Sequence, residues 1–253
     1  MFDRPRIIPS LLLDDQRLVK TIQFSHPNYL GDPINAVKIY NEKQVDELCI
    51  LDITRNRSGI NFDLLQDIAS EAFMPLSYGG GIDDMSQVKR LFNIGFEKVV
   101  INSSLYSESG FVERVVEFAG SQSVVASIDY KKTLLNKKKC FSKCGKNKID
   151  ISPVDMAIRA EKMGVGEILL NSMDRDGMMN GYDLPVVSEI ASKISIPLIA
   201  CGGAGSLKDI KEVIDAGADA VAAGSLFVYY GEKKGVLINY PSEEEMSLAG
   251  IYK

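Results

Sequence analysis

A chain of 253 residues, 45% hydrophobic and 25% charged, with 21 Gly and 9 Pro, has the composition of a globular protein with a sizeable core and excludes a disordered or fibrous one. Twenty-nine basic against 34 acidic residues leave a net charge of −5, so no positive field favours nucleic acid or an anionic membrane surface. Residues 1–8 carry Asp3, Arg4 and Arg6 but no long apolar run, and no stretch of about 18 uncharged apolar residues occurs, so the expected location is the cytoplasm.

Short runs rich in Ile, Val and Leu alternate with longer segments of helical period. The first run covers 6–13 and the second 47–53, with apolar residues at three- and four-residue spacing over 33–43 marking a helix between them. Runs three and four, 75–78 and 98–101, flank a helical segment over 85–94. Run five, 124–129, precedes residues 131–148, where eight lysines predict an elongated loop or hairpin that is either a solvated surface or an attractor of phosphorylated ligand or acidic partner. A helix over 153–163 leads to run six, 167–171, and a helix over 207–216 separates run seven, 197–200, from run eight, 220–223.

Residues 74–105 align without gaps on 196–227, with eight identities that include Gly80/Gly202, Gly81/Gly203 and Ser103/Ser225. Eight βα units in two equivalent halves predict one (β/α)8 (TIM) barrel domain over 1–253. An open doubly wound sheet fits less well, because its usual G-x-G-x-x-G is missing after the first strand.

In such a barrel the loops at the C-terminal strand ends build the active site. Gly79-Gly80-Gly81 follows run three and Gly202-Gly203-Ala204-Gly205 follows run seven, with Asn102-Ser103 and Gly224-Ser225 after runs four and eight. Glycine lets the backbone approach an anion closely, so the repeat predicts two phosphate sites on opposite sides of the mouth; the alternative is tight βα turns that need Gly for geometry alone. Asp129 ends an otherwise apolar run and is a candidate general acid or base, unless it caps a loop or pairs with Lys131. Asp52, Asp174 and Asp176 also stand at strand ends, and Asp176-Gly177 either shapes a turn or positions the second phosphate.

At the opposite ends, Arg6, Glu47, Lys98 and Glu167 each start a run or stand just before it. Facing inward they make a ring of two positive and two negative charges, either a structural salt-bridge ring or a gate to a passage through the barrel. Cys140 and Cys144 form a C-x3-C pair, half a zinc site at most, and with Cys49 and Cys201 they read as unpaired thiols; neither metal nor cofactor is expected. A His-dependent triad could rest only on His26, in a loop containing Pro and Asn.

Across nearly its whole length the chain resembles the cyclase subunit family of imidazole glycerol phosphate synthase (HisF). The resemblance rests on Arg6-Ile7-Ile8-Pro9, Gly31-Asp32-Pro33, Asp46-Glu47-Leu48, Leu51-Asp52-Ile53-Thr54, Gly79-Gly80-Gly81-Ile82, Ile101-Asn102-Ser103, Ile128-Asp129, Gly166-Glu167-Ile168-Leu169-Leu170, Ser172-Met173-Asp174-Arg175-Asp176-Gly177 and Gly202-Gly203-Ala204-Gly205. It implies a barrel that docks a HisH-like glutaminase on its N-terminal face, receives ammonia through its interior and delivers it to a phosphorylated small molecule at the C-terminal face. It also implies that Arg6, Glu47, Lys98 and Glu167 match the family's gate, and that Gly81, Asn102, Ser103, Asp176, Gly177, Gly203, Gly224 and Ser225 match its phosphate loops. The family's cyclisation uses two aspartates, of which Asp129 matches one, but Leu12 stands at the other's position in Pro9-Ser10-Leu11-Leu12-Leu13. The half-barrel repeat pairs Ser10-Leu11-Leu12 with Ser127-Ile128-Asp129, and a leucine transfers no proton.

This pattern is similar to that of HisF-like paralogues that serve, beside a glutaminase and a separate sugar amidotransferase, to amidate an acetamido sugar in surface-polysaccharide biosynthesis. An authentic cyclase of histidine biosynthesis and a non-catalytic phosphate-binding scaffold are the competing expectations.

Overall fold

The computed structural model describes residues 4–54, 59–134, 136–231 and 233–252. β1 (Arg6–Asp14) is followed by β2 (Arg17–Ile22), β3 (Ser25–Gly31), α1 (Pro33–Glu42), β4 (Leu48–Asp52), α2 (Phe62–Glu71), β5 (Leu76–Gly79), α3 (Met85–Ile94), β6 (Lys98–Ile101) and α4 (Phe111–Ala119). Then come β7 (Val124–Lys132), β8 (Lys138–Ser142), β9 (Asn147–Ile149), α5 (Pro153–Lys162), β10 (Glu167–Ser172), α6 (Leu184–Ala191), β11 (Leu198–Cys201), α7 (Leu207–Asp215) and β12 (Ala220–Ala223). Short elements close the chain: α8 (Ser225–Val228), β13 (Tyr229–Tyr230), β14 (Gly235–Val236) and α9 (Glu243–Leu248).

Eight parallel strands close in the order β1-β4-β5-β6-β7-β10-β11-β12, with β12 pairing back onto β1, so the expected (β/α)8 barrel is the observed one. The strands alternate between two apolar environments because their side chains point to opposite faces. On β1, Ile7, Leu11 and Leu13 pack outward against the helices, whereas Ile8 joins Cys49, Val100, Val125, Leu169, Ile199 and Ala222 inside the barrel. The helices start where local chemistry dictates. Asp32 caps α1 ahead of Pro33, Ser152 caps α5 ahead of Pro153, and Asp84 forms a capping box with Gln87 at α3.

Two excursions rise from the C-terminal strand ends. β1 overruns the barrel and pairs antiparallel with β2, which pairs with β3. The segment read from sequence as a loop holding His26 is therefore a hairpin, with His26 exposed on β3. β3 pairs with β2 alone, and Pro27 is tolerated on such an edge because no further strand needs its missing N–H. The second excursion extends β7 through Lys132 and adds antiparallel β8 and β9, which gives the lysine-rich segment a three-stranded form. Lys138 pairs with Asp183 at the start of α6, and Lys139 with Asp150, so two of its lysines are structural.

At the opposite end, Asp46 ties residues 4–7 to Tyr252. Its Oδ2 accepts the Ile7 N–H at 2.9 Å and the Tyr252 hydroxyl at 3.2 Å; its Oδ1 accepts from Arg4 at 3.2 Å. The Arg4 guanidinium lies 3.9 Å from the centre of the Tyr252 ring. No helix among the described residues is long and apolar enough to cross a membrane.

Candidate functional site: a charged floor, an apolar layer and a cavity

The inward side chains of the barrel form three tiers. The lowest is the charged ring expected from the sequence, brought together as a closed circuit. Arg6 reaches Glu47 at 2.7 Å and Glu167 at 2.6 Å, and Lys98 reaches the same two carboxylates at 2.8 and 3.0 Å. Both glutamates are buried and each has two cationic partners, which offsets the cost of removing the charges from water. Burial opposes the Arg6 charge, but Glu167 and Glu47 outweigh it and raise the guanidinium pKa above its ordinary value.

Above the ring sits the inner apolar layer. Ile8, Val100, Val125, Leu169, Ile199 and Ala222, with Cys49, Ser77 and the top of Glu47, enclose a void of about 10 Å³. That is room for about one water-sized molecule. Burial pushes the Cys49 thiol up to about 12, so it stays neutral and behaves as a small apolar group there.

The third tier opens into a cavity of about 520 Å³ at the C-terminal strand ends. Gly81, Asn102 and Ser103 line it beside β5 and β6, while Asp176, Gly177, Gly203, Gly224 and Ser225 line it beside β10 to β12, the opposite arc of the barrel. Leu12 and Asp129 both border it, from β1 and β7. All nine candidate residues of the C-terminal face thus converge on one space.

Their commitments differ. Asp129 is 8% exposed, and its carboxyl is pushed up to about 7 by burial, with the Asn171 hydrogen bond opposing the shift and Asp176 adding to it. The pairing with Lys131 left open by the sequence is not made; the Lys131 ammonium lies 5.0 Å from the Phe141 ring centre instead. Asn102 donates to the Ser127 carbonyl at 2.9 Å and to Asp129 at 3.3 Å, so its amide orients the carboxyl. Asp176 is occupied by the β2–β3 hairpin: Lys20 at 2.6 Å, Thr21 at 2.9 Å and the Phe24 N–H at 3.3 Å. Ser103 Oγ accepts the Lys143 N–H at 3.2 Å. Ser225 Oγ, in a residue 5% exposed, has no partner among the described residues. At Gly203, where φ is +124°, a Cβ would collide with the Gly181 carbonyl, so only glycine fits that turn.

Two residues escaped the sequence reading. Lys20 is buried in the cavity wall against Asp176 and beside Gly224, on β2, a strand that no apolar run announces. Asn171, the last residue of run six, lines the cavity beside Asp129, with which it is in register. Its place at the end of an apolar run is the signal that marks it in the sequence. Asp52 lines the cavity while accepting from Thr54 N–H and the Tyr78 hydroxyl, whereas Asp174 does not line it and accepts from Lys132 N–H on β7. Among the described residues no group of three or more His, Cys, Asp and Glu side chains is placed to hold a metal ion.

Residues 6–234 match the protein family described as "Histidine biosynthesis protein". Relatives named "Putative imidazole glycerol phosphate synthase subunit", hisF2 of Pseudomonas aeruginosa and HisF of Leptospira interrogans, are 46% and 48% identical over 97% and 96% of this chain, and over 99% and 97% of their own lengths. The "Imidazole glycerol phosphate synthase subunit HisF" of Streptomyces coelicolor is 37% identical over 90% of this chain and 91% of its own. The chain therefore belongs to the histidine biosynthesis protein family and stands among its HisF-like members.

Proposed function

We propose that this chain is the barrel subunit of a glutamine amidotransferase complex. A glutaminase docks on the floor around Arg6, Glu47, Lys98 and Glu167. Its ammonia passes the ring and the inner apolar layer and enters the cavity, where two phosphate cradles hold a phosphorylated ligand. One cradle is built by Gly81 and Ser103; the other is built by Gly177, Gly203, Gly224 and Ser225. The vacant hydrogen-bonding capacity of the buried Ser225 hydroxyl supports the second, since buried polar groups left unpaired by the protein are the ones a ligand completes.

The delivered ammonia serves the amidation of an acetamido sugar in surface-polysaccharide biosynthesis, the transfer itself falling to a separate sugar amidotransferase. The observation that carries this branch is Leu12. The inward positions of β1 are Arg6, Ile8, Ser10 and Leu12, so no titratable group from this strand borders the cavity opposite Asp129. Asp14 and Asp15, the carboxylates that follow on the chain, do not line it either; Asp15 lies in an exposed turn where its N–H donates to Thr54. Loss of one member of an acid–base pair removes about 10²- to 10⁴-fold in rate. Given ammonium and the histidine-pathway nucleotide, the purified protein makes little or no imidazole glycerol phosphate, as product chromatography would show. Efficient cyclisation overturns the sugar reading in favour of an authentic cyclase, the reading that the relatives' names favour. Capture of the glutaminase, followed by assay of what consumes its ammonia, tests the complex directly.

A further inference from the structure

We infer that Asn171 is the residue that receives ammonia at the head of the barrel interior, its side-chain oxygen accepting an N–H from the nitrogen that emerges above Leu169. This deepens the proposed function and rests on its reading that ammonia crosses the barrel. The inward positions of β10 are Glu167, Leu169 and Asn171, one in each tier: ring, apolar layer and cavity wall. Asn171 is therefore the first polar side chain on that strand above the void.

Two independent features mark its oxygen as a ligand contact. The residue is 6% exposed, and its amide hydrogen-bonds the Asp129 carboxyl, which fixes the other end of the amide group away from that neighbour. Its oxygen, Oδ1, is buried and has no partner among the described residues. A buried carbonyl oxygen left unpaired is unfavourable unless something else completes it. Gly202 provides the second feature. Its φ is +86°, and a Cβ there would stand 3.1 Å from Asn171 Oδ1, so glycine keeps a side chain from crowding that oxygen.

The occupant follows from size and hydrogen-bonding sense. A void of about 10 Å³ beneath the site passes only a molecule as small as ammonia or water. Asn171 Oδ1 and the Asp129 carboxyl are neighbouring acceptors, while Leu12 across the barrel offers neither donor nor acceptor. Adjacent acceptors suit a small donor, and ammonia has three N–H groups to give. Ammonia held by one N–H keeps its lone pair uncommitted, as a nucleophile requires.

The test is an NMR titration of the isotope-labelled native chain at mildly alkaline pH. Ammonium chloride is compared with tetramethylammonium chloride, a cation without N–H, at equal ionic strength, and inorganic phosphate is titrated separately. The expected result is a saturable shift of the Asn171 side-chain carbonyl with ammonium alone, and loss of the accompanying Asp129 carboxyl response in Asn171→Leu. Equal responses to the two cations, or none to ammonium, overturn the inference. Ammonium from solution enters through the cavity mouth without crossing the ring, so failure here leaves the passage reading standing. That reading is judged by glutamine-coupled turnover, and the cradles by phosphate shifts at Gly81 and Ser225.

Discussion

Burial makes Asp129 the side chain whose charge state carries the most consequence. In the unfolded chain its carboxyl titrates near 3.8, and in the barrel near 7. The native state therefore gains from the protonated form, fully so below 3.8, and that gain is lost as pH rises through 7. Asp129→Asn removes the titration, so it raises the melting temperature relative to the native chain at about pH 8 and leaves it nearly unchanged at about pH 4. Equal effects at the two values would mean that packing, not ionisation, governs the site. Lys98 makes a different case. Lys98→Ala leaves Glu47 and Glu167 with Arg6 as their one remaining cationic neighbour in the ring. The loss falls short of the about 3–5 kcal/mol typical when a buried charge loses its sole partner. Urea denaturation measures it; in the proposed complex, the same variant should uncouple glutamine hydrolysis from ammonia use. Asp129 was legible in the sequence because a lone carboxylate ended an apolar run. Lys20 and Asn171 were not, because an ordinary lysine and asparagine gain meaning only from burial and from what they leave unpaired.

Among the elements, the barrel strands were readable because they bury both faces and show as continuous apolar runs. β2 and β3 bury little beyond residues 18–21, and the latter contains His26 and Pro27, so neither carries a strand pattern; they exist because β1 overruns the barrel and offers an edge. Their attachment to the barrel runs through Asp176, which holds Lys20, Thr21 and the Phe24 N–H. Asp176→Ala should speed amide hydrogen exchange across residues 18–31 while the barrel strands stay protected. The lysine-rich excursion divides likewise. Lys138 and Lys139 are ion-paired, whereas Lys143 and Lys146 line the cavity. Neutralising the latter two weakens phosphate association at low salt and much less at high salt, whereas Lys137→Ala changes little; calorimetric titration separates them.

For the molecule as a whole, the half-barrel alignment predicted equivalent turns on opposite arcs, and the structure brings Gly81 and Gly203 to one cavity from β5 and β11. Saturation with inorganic phosphate should therefore fill two separate positions, one by Ser103 and one by Ser225, and crystallography of the phosphate-soaked protein would show whether both are occupied. The contact between Arg4 and Tyr252 carries another consequence. Because Arg4 and Tyr252 meet at the floor, a short linker could join residues near them, and the chain could be opened instead at the exposed Ser121-Gln122 turn between α4 and β7. Such a circular permutant would begin with the second half of the alignment and finish with the first. It should fold to the same closed sheet, with circular dichroism and melting behaviour close to those of the parent, because a ring of eight repeating units has no physical first strand. It would also carry its new ends away from the floor, freeing that face of any tag before a partner is sought there.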